Sequence, residues 1–172
     1  MAFDFIVGEP FPVFELPSVA RRDSDLAVVE CLVSNQMLRG KSFVLWVFPK
    51  AHTSGCTLEA REFAALFNEF GQLGVEVVEL SRDSLAAASK FSLTQGLLFP
   101  LMCDKNGVWL CDHSLIFEAK MYGKPVTEVA RTTFLVDGQG ITRRVWEQVA
   151  PSGHGALVLD AARELARLPN SA

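Results

Sequence analysis

The sequence predicts an α/β fold: one central mixed β-sheet flanked by helices. Three observations carry that prediction. The unbroken apolar run Phe43–Phe48 reads as a strand buried on both faces, and the apolar residues after it are spaced as one face of a helix. The pattern then repeats, with the strand-like Val75–Leu80 followed by a second helical stretch. Near the end, Thr132–Val136 and Ile141–Trp146 flank Asp137-Gly138-Gln139-Gly140, a hairpin signal. Strands that alternate with helices build parallel pairs, and a late hairpin adds antiparallel ones.

Taken in order, Val7–Pro17 alternates prolines with apolar residues. Proline fixes φ and brings no N–H, which suits an extended segment along the domain edge. Residues 18–40 are the least legible. Ala20–Asp25 is polar and loop-like, Leu26–Val33 suits a short strand, and Gly40 ends the segment. The buried strand 43–48 follows. Pro49–Glu59 is then a strand-to-helix loop with Cys56 where the helix begins, and Phe63, Leu66, Phe67 and Phe70 form the buried face of that helix. Gly71 and Gly74 end it. After the strand 75–80, Asp83 or Ser84 caps a helix through about Thr94, and Gly96 closes it. Leu97–Met102 leads into a strand end and the turn Cys103–Gly107. Residues 108–125 fit no single pattern, and Gly123 and Pro125 argue for a loop. After the hairpin, Leu157, Ala161, Leu165 and Leu168 mark a closing amphipathic helix. This order of elements suits a sheet of the thioredoxin-like kind.

Composition sets bounds. The chain has 172 residues, of which 49% are hydrophobic and 21% charged, enough for a single domain (1–172) to fold on its own core. A net charge of −4 with no Lys/Arg cluster argues against nucleic acid or an anionic membrane as partner. Met1–Phe5 is neither basic nor apolar enough for a signal peptide, and no apolar run approaches the ~18 residues of a membrane span. The expected compartment is the cytoplasm. Cys31, Cys56, Cys103 and Cys111 form no C-x-x-C, and the histidines are far apart, so structural zinc is not expected.

The chemistry gathers at Cys56. The first backbone N–H groups of a helix lack intrahelical partners, and the helix dipole is positive there. Both favour a thiolate over a thiol. Thr53 stands where an N-cap belongs, and its hydroxyl can serve the sulfur or a bound oxygen. Pro49 stiffens the loop. Arg131 immediately precedes the strand 132–136; if that strand lies beside 43–48, its guanidinium reaches the loop and supports the thiolate. Each residue also has a plain alternative: a small buried thiol for Cys56, a solvated strand-end charge for Arg131.

The spacing Pro49-x-x-x-Thr53-x-x-Cys56 resembles the active-site signature of the peroxiredoxins, and Arg131-Thr132-Thr133-Phe134-Leu135-Val136-Asp137 resembles their second signature. The most similar branch is the bacterioferritin-comigratory-protein type, also called peroxiredoxin Q. The likeness extends through Val7–Pro10, Gly55–Ala60, Phe99–Leu101, Lys120–Lys124 and Gly153-His154, and it leaves out 18–40. It implies a thiol-dependent peroxidase that works without a metal, haem, flavin or other cofactor, an oxidoreductase of cell redox homeostasis. Cys56 would attack a hydroperoxide and become a sulfenic acid. Arg131, Thr53 and backbone N–H groups near Gly55 and Cys56 would hold the peroxide oxygens, Pro49 would shield the sulfur, and Glu59 would orient an arginine.

Where many relatives carry a resolving cysteine, five residues after the reactive one, this chain has Arg61. The expected cycle therefore uses one cysteine, reduced by thioredoxin, glutaredoxin or glutathione, in a monomer or homodimer. Cys103, Cys111 and Cys31 remain as possible resolving thiols, each with the alternative of an inert buried thiol. Two other roles stay open: a redox sensor that relays oxidation to a partner, and a holdase chaperone that uses apolar surface around 18–40.

Overall fold

The computed structural model describes residues 5–169. Residues 1–4, part of the stretch read above as unlike a signal peptide, and residues 170–172 lie outside them. The chain runs β1 (Glu15–Arg21), β2 (Val28–Ser34), β3 (Ser42–Val47), α1 (Ser54–Gln72), β4 (Val75–Ser81), α2 (Leu85–Gln95), β5 (Leu101–Cys103), α3 (Val108–Asp112), β6 (Ile116–Met121), β7 (Lys124–Val129), β8 (Thr132–Val136), β9 (Thr142–Glu147) and α4 (His154–Ala166). Seven of the strands form one mixed sheet in the order β2-β1-β5-β4-β3-β8-β9, and β6 pairs with β7 apart from it.

β3 is buried throughout because it lies inside the sheet and is covered on both faces. It pairs parallel to β4 and antiparallel to β8, with Val47 opposite Thr132. Its alternate residues serve two cores. Val44, Trp46 and Phe48 pack with Ala60 and Phe63 of α1, Phe91 of α2 and Val158 of α4. Phe43, Leu45 and Val47 pack with Phe5, Phe11, Phe14, Leu110 and Phe134. Both faces are thus covered, but unequally. The three longer helices share one face, while the other is closed by an aromatic N-terminal segment and the short α3.

Several expectations change. In the segment 7–17, residues 7–9 form a turn with Gly8 at φ 94°, and the last three residues begin β1, which enters the sheet between β2 and β5 instead of lying at its edge. Pro17 is tolerated because β5 is short: the β1–β5 register covers only Ser18 and Val19, so no ladder bond is asked of Pro17 on that side. Ala20 and Arg21, read as loop, continue β1. Arg21 is held there by bonds from Nε to the Leu97 carbonyl (3.2 Å) and from Nη2 to that of Ser92 (3.1 Å). Residues 108–125 are α3 plus most of the β6–β7 hairpin. Tyr122 and Gly123, at φ 51° and 77°, make its two-residue turn, which is why Gly123 resembled a loop. In α4, Ala161 and Leu165 face the core as expected, but Leu157 and Leu168 are exposed, and Val158, Leu159 and Ala162 take their place. The α2 cap is Ser84, whose Oγ accepts from Ala87 N–H (3.2 Å), and Gly96 ends the helix at φ 64°.

Candidate active site

The loop between β3 and α1 opens at the carboxyl end of the sheet. Pro49 is half-buried at its start. Asp83, the alternative to Ser84 as the α2 cap, accepts from the Ala51 N–H (2.8 Å) and ties the loop to the β4–α2 connection. His52 is exposed in the left-handed region (φ 62°), its ring edge-on to Phe91 with centroids 5.1 Å apart. Thr53 occupies the N-cap position but does not cap with its side chain. Its hydroxyl donates to the Lys50 carbonyl (2.8 Å), so the Lys50–Thr53 turn is closed from within. The helical ladder begins with Thr57 N–H on the Thr53 carbonyl (2.9 Å). The N–H groups of Ser54, Gly55 and Cys56 therefore precede the first intrahelical bond and are left for another acceptor.

Cys56 is fully buried on the first turn of α1. Arg131 reaches it because β8 runs antiparallel beside β3, which places the residue before Thr132 at the level of the loop. Arg131 Nη2 lies 3.4 Å from Cys56 Sγ. Nη1 donates to Oε2 of Glu59, one turn further along α1 and fully buried. The guanidinium thus bridges a thiol and a carboxylate on one helix face, a fork geometry that arginine offers and lysine does not. Gly55 is needed where it stands: a Cβ there would lie 3.3 Å from Arg131 Nη2 and 3.2 Å from Pro151 Cγ.

The electrostatics follow from burial. Burial pushes the Glu59 carboxyl above its ordinary range, and the charge and hydrogen bond of Arg131 act against that rise. Burial opposes the Arg131 charge, but Glu59 and Cys56 together more than offset it and hold the guanidinium above its usual value. Oε1 of Glu59 and Nε1 of Trp46 have no partner that meets hydrogen-bond geometry, yet the indole still acts on the carboxylate.

Pro49, Thr53, Gly55, Cys56, Glu59 and Arg131 are thus brought to one place. The other cysteines stand on other elements. All four are free. Cys103 is buried at the end of β5, its thiol pushed up to about 12 by burial and then by Glu79 and Asp83. Cys31 is half-buried on the edge strand β2, and Cys111 is exposed on α3, not the buried thiol that was its alternative. Arg61 is spent between helices, donating to Gln95 Oε1 of α2 (2.9 Å).

Sequence reasoning missed Glu62, which accepts from Gly153 N–H (2.7 Å) and Gly155 N–H (3.2 Å) and pins the start of α4 beside the site. Its signal was positional: Glu62 lies on the face of α1 between Glu59 and Phe63. His154 is buried, with Nε2 2.8 Å from Thr133 Oγ1. Among the described residues no group of His, Cys, Asp and Glu is arranged to hold a metal, and no helix is long and apolar enough to cross a membrane.

A cysteine at a helix start, held by a half-buried arginine that is itself paired to a buried glutamate, is suited to attack an electrophilic oxygen. Comparison with known proteins agrees. The profile of the AhpC/TSA family matches residues 7–145. The chain belongs to that family. Within it the relatives are of the Bcp and peroxiredoxin Q type. Peroxiredoxin Bcp of Xanthomonas campestris is 36% identical over 128 residues, covering 74% of this chain and 80% of its own. Peroxiredoxin Bcp of Bacillus subtilis is 30% identical over 127 residues, covering 74% and 81%. Among solved structures, a Cys-to-Ser mutant of Xylella fastidiosa PrxQ covers 96% of this chain and 100% of its own at 25% identity, with a TM-score of 0.84. The fold is therefore that of the thioredoxin-like peroxiredoxins, and the activity is that of a thiol-dependent peroxidase.

Proposed function

We propose that the chain reduces hydrogen peroxide and organic hydroperoxides through a Cys56 sulfenic acid, in a one-cysteine cycle closed by an external thiol. The observation that carries this reading is the placement of Arg131 Nη2 3.4 Å from Cys56 Sγ, with Glu59 fixing the same guanidinium from its other side.

The Cys56 thiolate attacks the terminal oxygen of ROOH. The S–O bond forms as the O–O bond breaks, giving Cys56–SOH and RO⁻, which takes a proton from water. Arg131 and the free N–H groups at Gly55 and Cys56 stabilise the charge that develops on the departing oxygen. Thr53 spends its hydroxyl proton on Lys50, and its oxygen remains able to accept the O–H of the hydroperoxide. Pro49 walls the loop on the strand side. Alkyl peroxide reduction is the activity named for the bacterioferritin comigratory protein of Xanthomonas campestris, which supports organic hydroperoxides as substrates.

An external thiol R′SH then displaces water from Cys56–SOH to give a mixed disulfide, and a second thiol releases Cys56 and R′SSR′. Glutathione, glutaredoxin or thioredoxin would fill this role. The position five residues on from Cys56 is an arginine engaged with Gln95, and the remaining cysteines stand on other elements. That supports the one-cysteine cycle.

Stopped-flow peroxide consumption by the wild type and by Cys56→Ser tests the activity: consumption falls to the uncatalysed rate in the variant, and equal rates would remove the proposal. Intact mass after one equivalent of peroxide tests the cycle. A gain of one oxygen is expected; an internal disulfide in most molecules would overturn it.

A further inference from the structure

Glu79 stands in the middle of the sheet, on β4, level with Trp46 of β3 and Leu101 of β5. Its side chain is fully buried, and neither carboxyl oxygen has a partner that meets hydrogen-bond geometry, although the Ser81 side chain acts on the carboxyl. Trp46 Nε1 and Glu59 Oε1, in the same layer, are unmatched too. Three oxygens and one N–H are therefore enclosed between the sheet and α1. An ionised carboxyl this poorly supplied with donors is among the costliest things to bury. A neutral acid is far cheaper, and its O–H adds the donor that this group of oxygens lacks.

We propose that Glu79 is carried as a neutral acid in the reduced enzyme and is a positioning residue for the Cys56 thiolate, its proton keeping a second negative charge out of the layer beneath the sulfur. The proposal rests on the peroxidatic role of Cys56 and adds a residue that acts through it without touching the peroxide.

The surroundings agree. From α1, Cys56 and Glu59 face this layer, the latter neutralised by Arg131 on its far side. From β3 comes Trp46, from β5 Cys103, and from the β4–α2 connection Asp83; α2 adds apolar Ala88 and Phe91. Burial raises Glu79 well above the usual carboxylate range, the charges of Asp83 and Cys56 raise it further, and the Ser81 side chain acts against them. Coupling of this kind is reciprocal. If the Cys56 charge makes Glu79 harder to ionise, an ionised Glu79 makes the thiolate harder to hold. Oxidation to Cys56–SOH removes that charge, so the Glu79 proton is held less tightly in the oxidised enzyme.

Infrared difference spectroscopy on the full chain, before and after peroxide, reads this directly. At pH 7 the reduced wild type should show a protonated-carboxyl C=O band that shifts when Cys56 becomes a sulfenic acid and is missing from Glu79→Gln. The rate of Cys56 oxidation should fall at alkaline pH by roughly 5-fold or more as that band disappears, and the fall should be absent from Glu79→Gln. No protonated band at pH 7, or the same alkaline fall in Glu79→Gln, would overturn the proposal. Should Glu79→Gln fail to fold, titration of the wild type decides: band and rate must be lost together, and loss of one without the other rejects it. Failure of the peroxidase reading shows separately, as wild-type consumption by Cys56→Ser whatever the band does.

Discussion

On one face of the sheet, Phe5, Phe11, Phe14, Phe43, Trp109 and Phe134 pack ring against ring, with centroids 4.2 Å apart for Phe5 and Phe134 and 5.8 Å for Phe11 and Phe43. On the other face, Trp46, Phe48, Phe63 and Phe70 pack just as closely, but they enclose Cys56, Glu59, Glu79, Cys103 and His154 as well. The same driving force closes both. The difference lies in what else is buried. Apolar rings ask only to be kept from water. Ionisable groups ask for partners, and where the partners are incomplete their charge state becomes adjustable. The helix-covered face is therefore the reactive one.

The largest test of that contrast is Arg131→Ala. Loss of the donor that meets the developing charge should lower the rate of Cys56 oxidation by on the order of 10²–10³. It also leaves Glu59 buried without its cation, which should cost roughly 3–5 kcal/mol of stability by urea unfolding. Adding Glu59→Gln should restore most of the stability and none of the rate. Recovery of the rate in the double variant would show that Arg131 acts only as a counter-ion. On the opposite face, Phe14→Ala should cost about 3–5 kcal/mol through the cavity it leaves. The folded fraction should still be oxidised at the wild-type rate. A tenfold loss of rate there would mean that the two faces are coupled and that the contrast fails.

How much of this was legible in the sequence depended on whether the signal was local. β3, the hairpin β8–β9 and the start of α1 announce themselves through unbroken apolarity, turn residues and a cysteine at a helix start. Arg131 was placed correctly because the strand it precedes has one natural neighbour in β3. The β1 strand was hidden: its prolines speak for an edge, and only the shortness of β5 lets Pro17 sit inside the sheet. The Thr53 hydroxyl was misjudged because a cap position does not dictate a cap bond when a nearer carbonyl, that of Lys50, competes for the same proton. Glu79 shares the inward parity of Val75 and Val77 on β4, which was the available signal; that its oxygens would be left without partners depended on Trp46 and α1, residues remote in the chain.

The smallest effect concerns His154, which the reactive face holds neutral. It is lowered to about 4, chiefly by burial, with Glu62 acting in the opposite direction and Arg131 adding to the fall. An unfolded histidine titrates near 6.5. Between those values the unfolded chain binds one more proton than the fold, so the contribution of His154 to stability is complete above about pH 6.5 and is lost as the pH falls toward 4. The loss amounts to about 3 kcal/mol at the acid end of that window. Glu79 works with the opposite sign: protonated in the fold and ionised when unfolded, it costs stability as the pH rises through the same window. The two slopes oppose each other in the wild type, and a nearly flat profile would hide both. Urea unfolding of wild type and His154→Gln from pH 4 to 7 separates them. The difference between the two proteins should shrink as the pH falls, because only the wild type loses the His154 contribution, and His154→Gln alone should become less stable with rising pH. A His154→Gln profile parallel to the wild type would place the acid sensitivity of this face in its carboxyl groups instead.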